Sequence, residues 1–409
     1  MTSVESSEPG ALRRRAMRVI LAFGVVSLFA DMVYESARSV NGAYLRELGV
    51  DAAMAGVVVG LAQFLGAALR SVTGYAADRR RAYWAFTIAG YATLATVPMM
   101  ALTGIWQVVA LLIVMEQFAK ALRSPSKETI LSQAAKKVGT GWGFGVHEAL
   151  DQVGATVGPL IFVGLFLALG VTTATLADFR LGYSLLWLPF AAMMIALLAA
   201  YVMRPAHGEF ESEGAPAPGK ERLTRTFWLY CAFVFLATLG FTNFVLVTYH
   251  LKARSVVPDL WLPVVYLLAM LVDGVVALLV GRLYDRRKER SGRPDGGVGV
   301  LVMIPLLALP LPLLLFSSSL WLILPAVVMW GAVMGVNEST LKAGVADLTS
   351  LKKRGTGFGV FFTVYGLALF GGSALAGLLY EVSVPALAAV TAAVETAAVA
   401  VLYVLLWSR

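Results

Sequence analysis

Charge is scarce in this chain. Of its 409 residues only 14% are Asp, Glu, Lys or Arg, 59% are hydrophobic, and the mean hydropathy is +0.77. A soluble domain is about a quarter charged and cannot hide so much apolar surface. The composition therefore excludes an ordinary soluble fold and points to an integral membrane protein. Cysteine is almost missing. Cys231 stands alone, which excludes an intramolecular disulfide and the stapled secreted folds. Side-chain amides are rare as well, with three Asn and five Gln, a depletion shared with thermophile proteins. No G-x-x-x-x-G-K-S/T, H-E-x-x-H or G-x-S-x-G occurs. ATP is thus not the expected energy source, no cofactor is expected, and the chain does not read as an enzyme. The net charge of +8 does not call for nucleic acid, because the Lys and Arg residues fall in short segments between apolar runs.

What is present is a series of long apolar runs. A spanning helix needs about 20 mostly apolar residues. Twelve candidates follow: 17–45, 52–77, 83–103, 104–124, 140–169, 179–203, 227–251, 259–283, 297–318, 320–346, 356–380 and 383–407. The expected fold is all-α and integral to the membrane, two six-helix bundles in one chain. Residues 1–16 form a polar, basic leader, 17–203 the first bundle, 204–226 a linker rich in Pro, Gly and charge, and 227–409 the second bundle. Basic residues crowd one side: Arg13–Arg15, Arg79–Arg81, Lys136–Lys137, Lys220 to Arg225, Arg286 to Arg293 and Lys352–Arg354. The positive-inside rule then places both termini in the cytoplasm of a multi-pass cell-membrane protein.

The halves repeat. "GYAADRRR" at 74–81 matches "GRLYDRRK" at 281–288, and "GFGV" at 143–146 matches "GFGV" at 357–360. Two ordered matches at nearly equal offset indicate a parallel repeat of six spans.

The pattern Gly74, Asp78, Arg79, Arg81 after the second span, copied as Gly281, Asp285, Arg286 after the eighth, resembles the signature of the major facilitator superfamily. Twelve spans with a central linker resemble that family too. The resemblance implies a gate: an aspartate at the mouth accepts hydrogen bonds from a neighbouring helix only when that side is closed. A solvated basic loop is the alternative. In span 5, Gly154, Gly158 and Pro159 resemble the G-x-x-x-G-P element of the family's proton-coupled exporters, although the two glycines usual after the Pro are not both there. Plain close packing of small residues is the alternative.

The apolar runs are interrupted at regular intervals. Asp31, Glu35 and Arg38 in span 1 share one helical face. So do Glu116, Lys120, Arg123 and Lys127 in span 4, and His147 and Asp151, with Glu148 beside them, in span 5. Charges facing lipid cost about 3 kcal/mol each, so these three faces are expected to meet inside the first bundle. One reading is a substrate and proton-coupling site, with Asp31, Glu35 and Glu116 as coupling acids, Lys120 and Arg123 as neutralising bases or anion holders, and His147 as a relay. The other is a structural ion-pair cluster, with His147 simply packed. Heights along the helices suggest Glu148 as the partner of Lys120, then Glu116. The second bundle is poorer in charge: Asp273, Asn337, Glu338 and Lys342, the last two spaced to pair. For Phe241, Phe244, Tyr249 and Tyr365 lipid contact is the expected fate and the cavity the alternative. The asymmetry suggests a fixed, charged first half and a mobile, apolar second half.

Together these features predict a secondary transporter using alternating access, read as a proton-coupled exporter of a small amphipathic or charged solute. Its partners are the solute, protons and the lipid bilayer, and it is expected to act as a monomer. An inorganic or metal cation exporter is the alternative, opposed by Lys120 and Arg123. A non-transporting sensor or scaffold on the same fold is the alternative of another class.

Overall fold

The computed structural model describes residues 9–203, 223–293, 295–350 and 354–407, the side chains of 9–11, 78, 136, 140–141 and 354 excepted. Among the described residues eighteen α-helices and three short 3-10 or π segments group into twelve successive spans, with no strand. In hydrocarbon every backbone N–H and C=O must be satisfied within the segment, and a continuous apolar run can do that only as a helix. Ten of the spans are long and apolar enough to cross a membrane by length and composition. The other two depart for opposite reasons. Span 4, Trp106–Val138, is 33 residues long but carries the charged stripe. Span 9, which carries Pro305, Pro310 and Pro312, is divided into Gly296–Val302, Met303–Ala308 and Leu311–Leu315, with Pro310, which lacks the N–H that the preceding turn needs, at the second junction.

Several boundaries differ from those read in the sequence. The leader is helical from Pro9, so span 1 runs Pro9–Glu47. Span 4 continues beyond residue 124 to Val138, and its turn into span 5 is Gly139 alone, at φ 108°. A side chain there would be strained, which is why a one-residue corner needs glycine. Of the linker read at 204–226, residues 204–222 lie outside the described residues, and span 7 already begins at Arg225.

With twelve spans, the start of span 1 at Pro9 and the end of span 12 at Trp407 fall at one end of the bundle, the near end. Within the first half, span 1 packs on spans 4, 5 and 6; within the second, span 8 packs on span 10, and span 7 on spans 11 and 12. The halves meet through span 2 on span 11, span 5 on span 8, and span 1 on span 7. A shift of six spans exchanges the first two contacts and returns the third to itself, as a repeated unit related by a two-fold axis requires.

The far end is held by several bonds between halves. Lys252 Nζ reaches Asp259 at 2.5 Å, Glu47 at 3.1 Å and the Ala174 carbonyl at 2.8 Å. Asp259 in turn accepts from the Ala174 N–H at 2.6 Å, and Glu381 accepts from the Ala52 N–H at 2.8 Å. At mid-height Gln152 donates to the Met270 carbonyl at 2.9 Å. Among the described residues, the hydrogen bonds and ion pairs that join the halves lie at the far end or at mid-height. Below them Glu148, Glu338 and Lys342 stay exposed although they come from facing halves and act on one another electrostatically. Water therefore reaches mid-height between the halves from the near end.

Candidate functional site

The stripe on span 1 sets the site. Asp31 and Glu35 are buried, about one turn apart. Asp31 lies against the Asp151 carboxyl of span 5 and the Tyr34 hydroxyl. Lys127 of span 4 acts on both acids, and its Nζ donates to Ser27 Oγ at 3.3 Å. Ser27 shares a hydrogen bond with His147 Nε2 at 3.2 Å and with Tyr91 Oη at 3.4 Å. Spans 1, 3, 4 and 5 are thus joined at one level.

A turn toward the far end, Arg38 Nη1 pairs with Glu35 at 2.9 Å, and Nη2 stands 3.6 Å from Glu116. Gln117 donates to Glu116 as well, at 3.2 Å. The other oxygen of Glu35 accepts the hydroxyl of Tyr266 on span 8. That contact crosses between the halves, so the span 1 charges sense the position of the second half.

The ring of Tyr34 lies among three cations. Arg38 is 4.8 Å from its centroid, Lys120 5.1 Å and Arg123 5.5 Å; Arg123 is also 5.0 Å from the Tyr91 ring. Arg70 of span 2 stands over Phe362 of span 11 at 5.4 Å. Arg123 Nη1 and Arg70 Nε are buried without an acceptor.

Close helix approach makes this crowding possible. A Cβ on Gly90 of span 3 would stand 2.6 Å from the Arg123 Cβ, and one on Gly154 would stand 2.2 Å from the Leu28 carbonyl of span 1. Gly158 faces Met32 in the same way, and its carbonyl accepts the Ser36 hydroxyl. Pro159 sits between the helices Thr140–Val157 and Leu160–Leu169.

Three expectations are corrected. Lys120 pairs with neither Glu148 nor Glu116: among the described residues no carboxylate lies within 4 Å of its Nζ, and it faces Tyr34 instead. Height along a helix does not decide pairing without its rotation. One residue turns a helix by about 100°, which carries Glu148 off the His147–Asp151 face toward Glu338 and Lys342 of the other half. Glu338 and Lys342 do not bond to one another and are both exposed. Phe241, Phe244 and Tyr249 do not face lipid but are buried, Phe241 stacked on Trp330 at 5.4 Å and Phe244 edge-on to Tyr266 at 4.9 Å. Tyr365 is half-buried and stacks on Phe361.

Of the near-end motif, Arg79, Arg81, Asp285 and Arg286 are exposed, Gly74 packs on Pro125, and Gly281 opens toward Ser339. The Asp78 side chain lies outside the described residues. Sequence reasoning missed Arg70, Tyr34, Tyr266 and Ser27. A lone Arg inside the apolar run 52–77 was a readable signal, since an intramembrane charge is costly wherever it occurs. It also missed two irregular helices. Span 7 breaks between Leu239 and Phe244, and span 10 contains a π turn, Asn337–Leu341, that carries Glu338. Such π turns are frequent at functional sites.

Residues 21–373 match the family model of the Major Facilitator Superfamily. An uncharacterized protein of Mycobacterium tuberculosis is 39% identical over 394 residues, covering 95% of this chain and 93% of its own. An uncharacterized MFS-type transporter of Methanocaldococcus jannaschii is 23% identical over 381 residues, 90% of each chain. Among solved structures, the nucleoside transporter NupG is similar with a TM-score of 0.67 at 16% identity, covering 95% of this chain and 98% of its own. The peptide transporter POT in complex with sulfate reaches a TM-score of 0.71 at 14% identity, covering 95% and 93%. At such identities the likeness is one of fold.

Proposed function

This chain belongs to the Major Facilitator Superfamily, and from that premise we propose that it is a secondary active transporter exporting a small amphipathic or charged solute in exchange for protons. The observation that carries the reading is the contact of two carboxyls, Asp31 and Asp151, at mid-height. Above them lies the bonded far end, and below them water reaches Glu148, Glu338 and Lys342. Two carboxyls in contact can hold one proton between them, and a cation that moves closer displaces it. Lys127 is that cation here. Glu35 links the same span to Tyr266 across the halves, so rocking of the halves alters the charge balance around Arg38. A group whose proton affinity differs between two states couples protonation to their populations.

The outward direction rests on the G-x-x-x-G-P element at Gly154, Gly158 and Pro159, and the cytoplasmic placement of the near end rests on its basic segments. An inorganic cation is disfavoured as cargo, because Arg38, Lys120 and Arg123 surround Tyr34. The test is purified protein in liposomes loaded with a pH-sensitive dye under an imposed pH gradient, with solutes added from a thermal-shift screen. Proton movement that depends on solute and is lost in Asp31→Asn is the expected result. Solute flux indifferent to the gradient in both proteins would remove the coupling.

A further inference from the structure

We infer that Lys120, Arg123 and Arg70, grouped about Tyr34, form a binding site for the anionic head, a carboxylate or phosphate, of an organic solute. The inference rests on the transporter reading and names the chemical class of its cargo.

Charge pairing at mid-height is incomplete. Five cations project from spans 1, 2 and 4. Arg38 is taken by Glu35 and Glu116, and Lys127 by Ser27 and the Asp31–Asp151 pair. Lys120, Arg123 and Arg70 remain, and among the described residues none has a carboxylate within 4 Å. The acids that act on them from farther away are Glu116 for Lys120 and Arg123, Glu35, Asp151 and Glu338 for Lys120, and the exposed Glu128 for Arg70. Burying cations without counter-charge is costly. Ring faces compensate part of it: Tyr34 and Tyr91 for Arg123, Tyr34 for Lys120, and Phe362 for Arg70. They leave the in-plane N–H donors unused. Arg123 is 5% exposed with Nη1 unpartnered, and Arg70 Nε is unpartnered too. A guanidinium fork and an ammonium beside the same ring, close enough to act on one another, suit a planar or tetrahedral oxyanion.

The group is also built to stay in place. Gly90 lets span 3 press on the Arg123 backbone, so that a Cβ there would stand 2.7 Å from the Arg123 nitrogen. The opposite wall is aromatic, with Phe362 and Tyr365 of span 11 half-buried beside Arg70. An anion with an aromatic or apolar body fits between a cationic first half and this wall. Glu338, which Lys120 faces across the gap, is displaced as counter-charge when the anion arrives.

The experiment uses the full-length protein in detergent at constant ionic strength, with benzoate and inorganic phosphate as probes, benzamide as the neutral match and choline as the cation. Benzoate or phosphate should raise Tm saturably, and benzamide and choline should not. Arg123→Gln and Lys120→Gln should each weaken the anion by about tenfold or more. Arg123→Lys should retain part of the affinity, and Lys137→Gln, at the exposed end of span 4, all of it. If Arg123→Gln does not fold, Arg70→Gln takes its place. No saturable shift by either anion, an equal shift by benzamide, or unchanged midpoints in the Gln variants each overturn the site. A shift from phosphatidylglycerol vesicles alone assigns the cations to a lipid head group and overturns the solute assignment. Anion binding without flux in liposomes removes the transport reading and leaves the site; flux of neutral or cationic solutes untouched by Lys120→Gln removes the site and leaves the transport reading.

Discussion

The two halves share a repeat but bury charge differently. In the first half the acids are held in chains: Asp31 with Asp151, Glu35 with Arg38, and Arg38 with Glu116. In the second half Asp259 is bonded at the far end, but the other two buried acids among the described residues are solitary. Asp273 has an oxygen without a partner, and Glu395, fully buried in span 12, has two. The second half also carries the π turn in span 10 and breaks in spans 7 and 9, while spans 3, 5 and 6 are interrupted in the first. A network of mutual bonds fixes helices relative to one another, because moving one strands several charges. Solitary acids impose no such constraint. The repeat has thus preserved the helix plan while the linked charge network of the membrane interior settled in one copy.

The comparison breaks most sharply at Arg38, which two buried carboxylates share. Arg38→Gln should lower stability by about 3–5 kcal/mol, since it removes the base with which both acids are paired. The triple change with Glu35→Gln and Glu116→Gln should recover most of that loss. Thermal unfolding in detergent checks it, and a loss below about 1 kcal/mol for the single change would remove the idea of a rigid first half.

Lys252 tests what holds the halves together. Its ammonium is buried between Asp259 of its own half and Glu47 of the other. Lys252→Ala should shift the population toward a state open at the far end, by about tenfold for each 1.4 kcal/mol of lost contact. Maleimide labelling of Ala174→Cys, in a Cys231→Ser background, reads the change. Labelling no faster than in the parent would show that the other far-end bonds suffice.

Glu395 probes the second half. Gln removes the ionisable group without changing volume, and no partner is left behind because none is present. Glu395→Gln should therefore stabilise or leave stability within about 1 kcal/mol, in contrast to Arg38→Gln. Gly240→Ala tests the same spot from span 7: its Cβ would lie 2.4 Å from the Glu395 carboxyl oxygen, and the variant should be destabilised by about 1–3 kcal/mol.

Much of this was legible in the sequence. The spans follow from apolar runs, and the stripe Asp31–Glu35–Arg38 follows from helical spacing, because both are one-dimensional periodicities. Which charge meets which was only half legible. Arg38 and Glu116 come from different helices, and the rotation of span 4 against span 1 decides that they meet while Lys120 turns to Tyr34. The Tyr34 ring carries no sequence signal of its own, since its role exists only once spans 1 and 4 bring three cations around it. The break in span 7 and the π turn in span 10 were hidden for another reason. Asn243 caps a helix by accepting the Val245 N–H, and such local bonds compete with the helix only where packing permits.

The smallest effect concerns the near end, where the halves carry copies of one motif. In the second half Asp285 is exposed. The bonds that tie span 8 to span 10 go instead to Asp347, which accepts Lys288 Nζ at 2.6 Å and the Tyr284 hydroxyl at 3.0 Å. Lys288 is 37% exposed and Asp347 14%, so solvent screens the pair and it is worth about 0.5–1 kcal/mol. Asp347→Asn should lower stability by about that amount, and Asp285→Asn by less than about 0.5 kcal/mol. In the first half Asp78→Asn should leave solute binding within a few fold yet slow turnover, because a gate residue biases a state without touching cargo. Measuring binding and flux for all three separates the copies. Equal slowing by Asp78→Asn and Asp285→Asn would mean that both copies still gate. Slowing by Asp78→Asn alone, with Asp347→Asn affecting only stability, would mean that the second copy has passed its load to a bond within its own half.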